Sequence, residues 1–117
     1  MQVLKSFNIP LYRGKLVVML TDDKQFIKQY IPDFDNNSIY AHTINAPFKG
    51  KDGYYIILNP KNRCRKIYAG TIAHEALHVT SFLFDNRGLK LDMNNDEAQA
   101  YLLEWIVDIV FDVINKY

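Results

Sequence analysis

The pattern of apolar residues changes character at Asn59-Pro60, and this change constrains the fold of the 117-residue chain more than any other feature. Before this point, short apolar stretches alternate with turn residues, as is typical of strands. After it, apolar residues recur at the three- and four-residue spacing of amphipathic helices. We therefore expect an α+β fold, with a small, mostly antiparallel sheet packed on two C-terminal helices.

The first half of the chain predicts three strands, at residues 11–20, 39–46 and 54–58. A short helix is expected between the first two strands, because Thr21-Asp22-Asp23 is a good helix start and Ile31-Pro32 a stop. The second half predicts two longer helices, at residues 67–84 and from 94 to about 115. The second of these is apolar over more than half its circumference, which predicts a homodimer or another partner on that helix.

Composition narrows the class of protein. Apolar residues make up 49% of the chain, enough for a core without disulfides, and the single cysteine, Cys64, excludes an intrachain disulfide. The net charge of +1 argues against nucleic-acid binding, and the one basic run is read as a solvated loop: Lys61, Arg63, Arg65 and Lys66. The first residues show no apolar stretch after a basic start, and the longest apolar run, Leu16 to Leu20, is too short to span a bilayer, so we expect neither a signal peptide nor a membrane span. We expect one cytoplasmic domain over residues 1–117, with no nucleic-acid or membrane partner.

The segment His74-Glu75-Ala76-Leu77-His78 is an HExxH motif within the first predicted C-terminal helix. Residues four apart share one face of a helix, so two imidazoles at this spacing can converge on one Zn²⁺ at about 2.0–2.1 Å. The glutamate lies about 100° further round the helix, where it can reach a metal-activated water without being a ligand. This predicts His74 and His78 as metal ligands and Glu75 as general base.

The residues around the two histidines agree with a site. Gly70, Thr71 and Ser81 lie on the same helical face, and small side chains there leave room for a metal and a substrate. The alternative interpretation is that both histidines are ordinary surface or capped core residues.

A catalytic zinc needs a third protein ligand and an open position, and Glu97 is the best candidate for that ligand. It shares a polar helical stripe with Tyr101, Glu104, Asp108 and Asp112. The competing role is structural, because the segment 94–97 matches a capping box in which Glu97 returns to the Asn94 backbone N–H. Weaker candidates for the third ligand are Asp92, Asp96 and Glu104.

The HEALH motif followed by the segment DEAQAYL at residues 96–102 resembles the gluzincin metallopeptidases, over roughly residues 71–105. Its small size is similar to the minigluzincins and to small HExxH proteins encoded by phages and prophages. The resemblance implies a minimal zincin-like domain with His74, His78 and Glu97 as zinc ligands and Glu75 as base. It does not select an oxyanion-stabilising residue among His42, Tyr54, Tyr55 and Tyr101.

The sequence thus predicts a cytoplasmic zinc-dependent hydrolase that cleaves a peptide or protein substrate. An extended substrate is expected to pair with one of the strands 39–46 or 54–58. Two alternatives stay open. One is a non-catalytic, zinc-stabilised binding module such as a phage accessory protein, and the other is a helical assembly protein without a metal.

Overall fold

The computed structural model describes residues 2–36, 39–60, 67 and 69–117. In chain order the elements are β1 (Gln2–Asn8), β2 (Lys15–Thr21), α1 (Lys24–Lys28), β3 (Ala41–Asn45), β4 (Gly53–Leu58), α2 (Ala69–Asn86) and α3 (Glu97–Lys116). The expected α+β class is confirmed. Cys64 and the basic run at residues 61–66 lie outside the described residues.

The four strands form one mixed sheet in the order β1-β2-β4-β3. The central strands β2 and β4 are parallel, while β1 and β3 pair antiparallel with them on the two edges. The mostly antiparallel sheet expected from the sequence therefore has a parallel pair at its centre. Both central strands are buried on both faces, which explains the unbroken apolar run from Leu16 to Leu20.

The first strand prediction is wrong at its start. Residues 11–14 form a turn rather than strand, with positive φ at Leu11, Arg13 and Gly14, and a separate strand, β1, precedes it. The turn is closed by the Ile9 N–H donating to the Gly14 carbonyl at 3.1 Å. The sequence did not reveal β1, because it is a partly exposed edge strand in which polar residues interrupt the apolar ones.

The other local predictions fare better. Asp23 is the N-cap of α1, where its Oδ1 accepts from the Gln25 N–H at 2.9 Å, as the helix-start signal predicted. Strand β4 is confirmed, and β3 is present but shorter than predicted. Helix α2 begins and ends two residues later than predicted, and α3 begins three residues later.

The sheet separates two apolar clusters. One cluster joins the sheet to α2 and α3, whose buried residues are Ile72, Ala76, Val79, Leu83, Phe84, Leu102, Ile106, Val110 and Val113. The other lies under α1 and the connecting segments, and contains Ile27, Ile31, Phe34, Ile39 and Phe48. Because α3 buries one full side against this arrangement, much of the apolar surface that suggested a partner is covered within the chain. The structure of the single chain does not test the homodimer that the sequence predicted through α3. No helix in the described ranges is long and apolar enough to span a membrane.

Candidate metal and hydrolytic site

Helix α2 presents His74 and His78 on its outward face. The residues packed on the sheet side of the helix are Ile72, Ala76, Val79 and Leu83, and this packing fixes the rotation of the helix about its axis. Both histidines are exposed, and their Nε2 atoms lie 3.2 Å apart. The two rings meet edge to face, with centroids 4.8 Å apart. The i, i+4 spacing therefore brings the two predicted ligands together.

The separation of the two nitrogens is suited to zinc. Two Zn–N bonds of about 2.0–2.1 Å meeting at a tetrahedral angle hold their nitrogens about 3.3–3.4 Å apart. The separation of 3.2 Å between the His74 and His78 Nε2 atoms is within about 0.2 Å of that range. The pair thus fits two corners of a tetrahedral site.

The Glu75 carboxylate is held beside the histidines by the edge strand. Its side chain is buried, and Oε1 accepts a hydrogen bond from Thr43 Oγ1 at 2.7 Å. The other oxygen, Oε2, lies 3.9 Å from His74 Nε2. Thr43 Oγ1 also lies 3.1 Å from the Glu75 backbone carbonyl. Since a hydroxyl has a single proton, the carboxylate and the carbonyl share this donor.

A cleft of about 350 Å³ opens where the beginning of β3 meets the first turns of α2. It is lined by Tyr40, Ala41, Gly70, Thr71, His74 and Glu75. The Tyr40 hydroxyl lies 3.0 Å from Thr71 Oγ1, so a phenol is fixed at the cleft wall. Small side chains at Gly70 and Thr71 keep the cleft open, as the sequence predicted for this face of the helix.

Glu97 occupies a different groove. This groove has a volume of about 500 Å³ and is lined by Pro10, Leu11, Tyr12, Asn95, Glu97, Ala98, Tyr101, Leu102 and Trp105. Across the described ranges, no three His, Cys, Asp or Glu side chains are grouped so that they could hold a metal ion. The structure therefore brings His74, His78 and Glu75 together, but neither Glu97 nor the weaker candidates Asp92, Asp96 and Glu104 join them.

The alternative role of Glu97, as part of a capping box with Asn94, is wrong. The N-cap residue of α3 is Asp96, whose side chain makes no capping hydrogen bond. The Asn94 N–H instead donates to Asp92 Oδ1 at 2.9 Å, so it is satisfied without Glu97. The polar stripe on α3 is confirmed as exposed at all five positions: Glu97, Tyr101, Glu104, Asp108 and Asp112.

Of the candidate oxyanion donors from sequence, two lie in the core. The Tyr54 hydroxyl accepts from Asn86 Nδ2 at 2.9 Å, and the Tyr55 hydroxyl donates to the Pro47 carbonyl at 3.1 Å. Burial raises the pKa of the Tyr54 hydroxyl above its ordinary value. Burial, with a smaller contribution from Tyr30, raises the pKa of Tyr55 to about 12.

The other two candidates also lie away from the cleft. The His42 ring packs edge to face on Phe34 on the opposite side of the sheet, and Tyr101 lines the groove of Glu97. Sequence reasoning missed Tyr40 and Thr43, which do reach the site. The alternation along the predicted strand did place Ala41 and Thr43 on one face, and a hydroxyl on that face was the available signal for Thr43.

Comparison with protein family models, with curated proteins and with solved structures finds no match. The resemblance to gluzincins therefore stays a prediction that depends on the motif residues between Thr71 and Trp105. Function is inferred from the chemistry of the site itself.

Proposed function

We propose that this chain is a zinc-dependent peptidase, with His74 and His78 as zinc ligands and Glu75 as general base. The observation that carries the proposal is the convergence of two exposed imidazole nitrogens, 3.2 Å apart, beside a buried carboxylate. Zinc bound by this pair would supply an acidified water and a Lewis acid for the scissile carbonyl. Each remaining role is assigned to a side chain on α2 or β3.

Glu75 is suited to moving the proton. As general base it would accept a proton from the attacking water and later transfer it to the leaving amine. The Thr43 hydroxyl orients Oε1, at 2.7 Å, which leaves Oε2 directed toward the histidines. An oriented carboxylate needs less reorganisation at the moment of proton transfer, because its rotamer is already fixed.

The substrate proposed for this site is an extended peptide. In the described sheet, β3 is an edge strand, and its outer edge adjoins the cleft at Tyr40 and Ala41. An edge strand offers unpaired backbone groups with which a peptide can form a further strand. Strand β4, the other segment considered from sequence, is paired on both sides by β2 and β3 and cannot accept a substrate.

The third zinc ligand predicted from sequence, Glu97, is a separate part of the proposal. It lies in the groove with Tyr12 and Trp105, and Glu97→Gln tests it directly. If Glu97 is a ligand, this variant loses zinc affinity sharply, because an amide lacks the charge that binds Zn²⁺ strongly. If it is not, zinc affinity is unchanged.

The experiment that tests the peptidase activity compares Glu75→Gln with the wild type and with Asp108→Asn, a control that neutralises an exposed carboxylate on α3. Each protein is loaded with zinc, its metal content is measured, and it is incubated with a quenched fluorescent peptide library. We expect cleavage by the wild type and by Asp108→Asn. Glu75→Gln should retain zinc and lose cleavage by about 10²-fold or more.

Two results would overturn this assignment. Equal cleavage by Glu75→Gln would remove Glu75 as the base. Zinc bound by the wild type without any cleavage would favour the alternative of a non-catalytic, zinc-stabilised module.

A further inference from the structure

The outward face of α2 carries two possible zinc ligands, His74 and His78, which is fewer than a zinc site needs. The His74 side chain is 67% exposed. Among the described residues, His74 and His78 hydrogen-bond to each other and to no other side chain, and they belong to no group of three His, Cys, Asp or Glu residues that could hold a metal ion. Zinc takes four ligands in structural sites and three protein ligands in catalytic ones. A zinc ion on this pair would therefore project toward solvent with coordination positions to fill.

We propose that zinc joins two copies of this chain through this face, each copy supplying His74 and His78. The inference rests on the zinc-binding half of the proposed function. An isologous two-fold contact places the same patch of both copies together, so two ligands from each complete a set of four. Four neutral imidazoles suit zinc, a metal for which imidazole is a preferred ligand.

The residues around the pair suit a close approach between two helices. At 100° per residue, Gly70 and Ser81 lie within about 40° of His74 on the helical wheel, so small side chains continue the line of the histidines. Leu77 and Phe82 flank that line on either side, and they are 45% and 39% exposed. A second copy would cover these two apolar side chains as it completes the metal site.

Zinc should be required for this contact. A stable protein interface without a metal usually buries at least about 1,000 Å² with a well-packed apolar centre. The outward face of α2 offers only two large apolar side chains, Leu77 and Phe82, both partly covered already. We therefore expect a monomer without zinc and a dimer at half an equivalent of zinc.

The bridged dimer would restrain the proposed activity. A catalytic zinc keeps one position open for water and substrate, whereas four imidazoles leave none. The dimer is then a closed form of the same site, and dilution or excess zinc shifts the population to monomers by mass action. Activity per chain should accordingly rise as the protein is diluted at a fixed ratio of one zinc to two chains.

The test is sedimentation velocity of the full chain at a fixed concentration, with EDTA and then with increasing ZnCl₂. We expect a monomer in EDTA, most dimer at one zinc per two chains, and partial return to monomer when zinc exceeds one per chain. His78→Ala and the His74→Ala/His78→Ala variant should stay monomeric. Phe82→Ser should weaken the dimer, and Asp108→Asn, at an exposed position on α3, should dimerise like the wild type. MgCl₂ in place of ZnCl₂ should have no effect, because Mg²⁺ prefers oxygen ligands.

The outcomes separate the two proposals. One zinc per chain on a protein that is monomeric throughout would overturn the bridged dimer and leave the peptidase proposal intact. Zinc-dependent dimers that persist in His74→Ala/His78→Ala would place the bridge on another surface and overturn this one. Absence of zinc binding to the wild type would overturn both.

Discussion

The polar residues at the two ends of α2 differ in whether they hydrogen-bond to other parts of the chain. At the C-terminal end, Arg87 donates three hydrogen bonds, to the Asp52 carboxylate and to two backbone carbonyls of the β1–β2 turn. Asn86 donates to the Tyr54 hydroxyl and to Asn45 Oδ1. Nearer the N-terminal end, His74 and His78 are exposed and hydrogen-bond to each other.

The difference separates residues that the fold requires from residues that it does not. Arg87 and Asn86 connect the end of the helix to four other parts of the chain, namely the β1–β2 turn, β3, the β3–β4 loop and β4, so their identity is explained by stability. The two histidines hydrogen-bond to each other and, among the described residues, to no other side chain, so the zinc proposed above is our explanation for their identity. Glu75, which lies between the two histidines in sequence, belongs to both groups, because it is buried and hydrogen-bonded to Thr43 yet adjoins His74.

The largest effect should come from the C-terminal end. Arg87→Met keeps an unbranched side chain of similar apolar character near the backbone and removes the hydrogen bonds to Asp52 and to the turn. Hydrogen bonds that involve a charged group contribute about 1.5–3 kcal/mol, so we expect the free energy of unfolding to fall by about 2–3 kcal/mol. Urea unfolding measures it, with Lys90→Met at an exposed position as control. A loss below about 0.5 kcal/mol would show that the hydrogen bonds of Arg87 do not stabilise the fold.

A smaller loss of unfolding free energy is expected from removing the hydrogen bond between Thr43 and Glu75. Thr43→Val keeps the shape of the side chain but leaves a buried carboxylate with one donor fewer, which should cost about 1–2 kcal/mol of unfolding free energy. Thr43→Ser should recover most of that loss. In the Glu75→Gln background, the cost of Thr43→Val should shrink, and a double-mutant cycle measures the coupling. Equal costs in both backgrounds would show that the carboxylate does not depend on this hydroxyl.

A smaller effect concerns Tyr55, another polar group that the fold satisfies. Its pKa is about 12 in the folded chain because of burial and, to a smaller extent, Tyr30, and a free tyrosine has a pKa of about 10. A raised folded pKa gives stability that is complete below about pH 10 and is lost as pH rises towards 12. Tyr55→Phe should reduce the decline in unfolding free energy over that window by at most about 1.4 kcal/mol per pH unit. Tyr101→Phe, at an exposed position, should leave the decline unchanged.

The sequence predicted those parts of the fold that depend on local pattern. Helices α2 and α3 were predicted because the helical spacing of their apolar residues is visible in the sequence regardless of what they pack against. Strand β4 was predicted because it is a short stretch of β-forming residues between turns. Strand β1 was missed because its apolar and polar residues do not alternate regularly along the sequence. The parallel pairing of β2 with β4 was missed because it joins strands that are more than thirty residues apart, and no local signal encodes such a register.

In the candidate site, too, the features set by local spacing could be predicted and those set by long-range packing could not. The spacing of His74 and His78 is a local property of one helix, so the sequence predicted their convergence correctly. The position of Glu97 depends on how α3 rotates against α2 and the sheet, and that rotation is set by the packing of Leu102 and Ile106. The contact from Thr43 to Glu75 joins residues 32 apart and follows from the sheet order.

The claim that His74 and His78 bind zinc together can be tested by thermodynamic linkage, because a ligand that binds only the folded chain stabilises it. The free energy of unfolding is measured by urea with EDTA and with zinc, for the wild type and for His74→Ala/His78→Ala. In EDTA the two should agree within about 0.5 kcal/mol, because both side chains are exposed. Zinc at about 100 times its dissociation constant should stabilise the wild type by about 2.7 kcal/mol and leave the variant unchanged. Equal stabilisation of both proteins, or of neither, would contradict the claim.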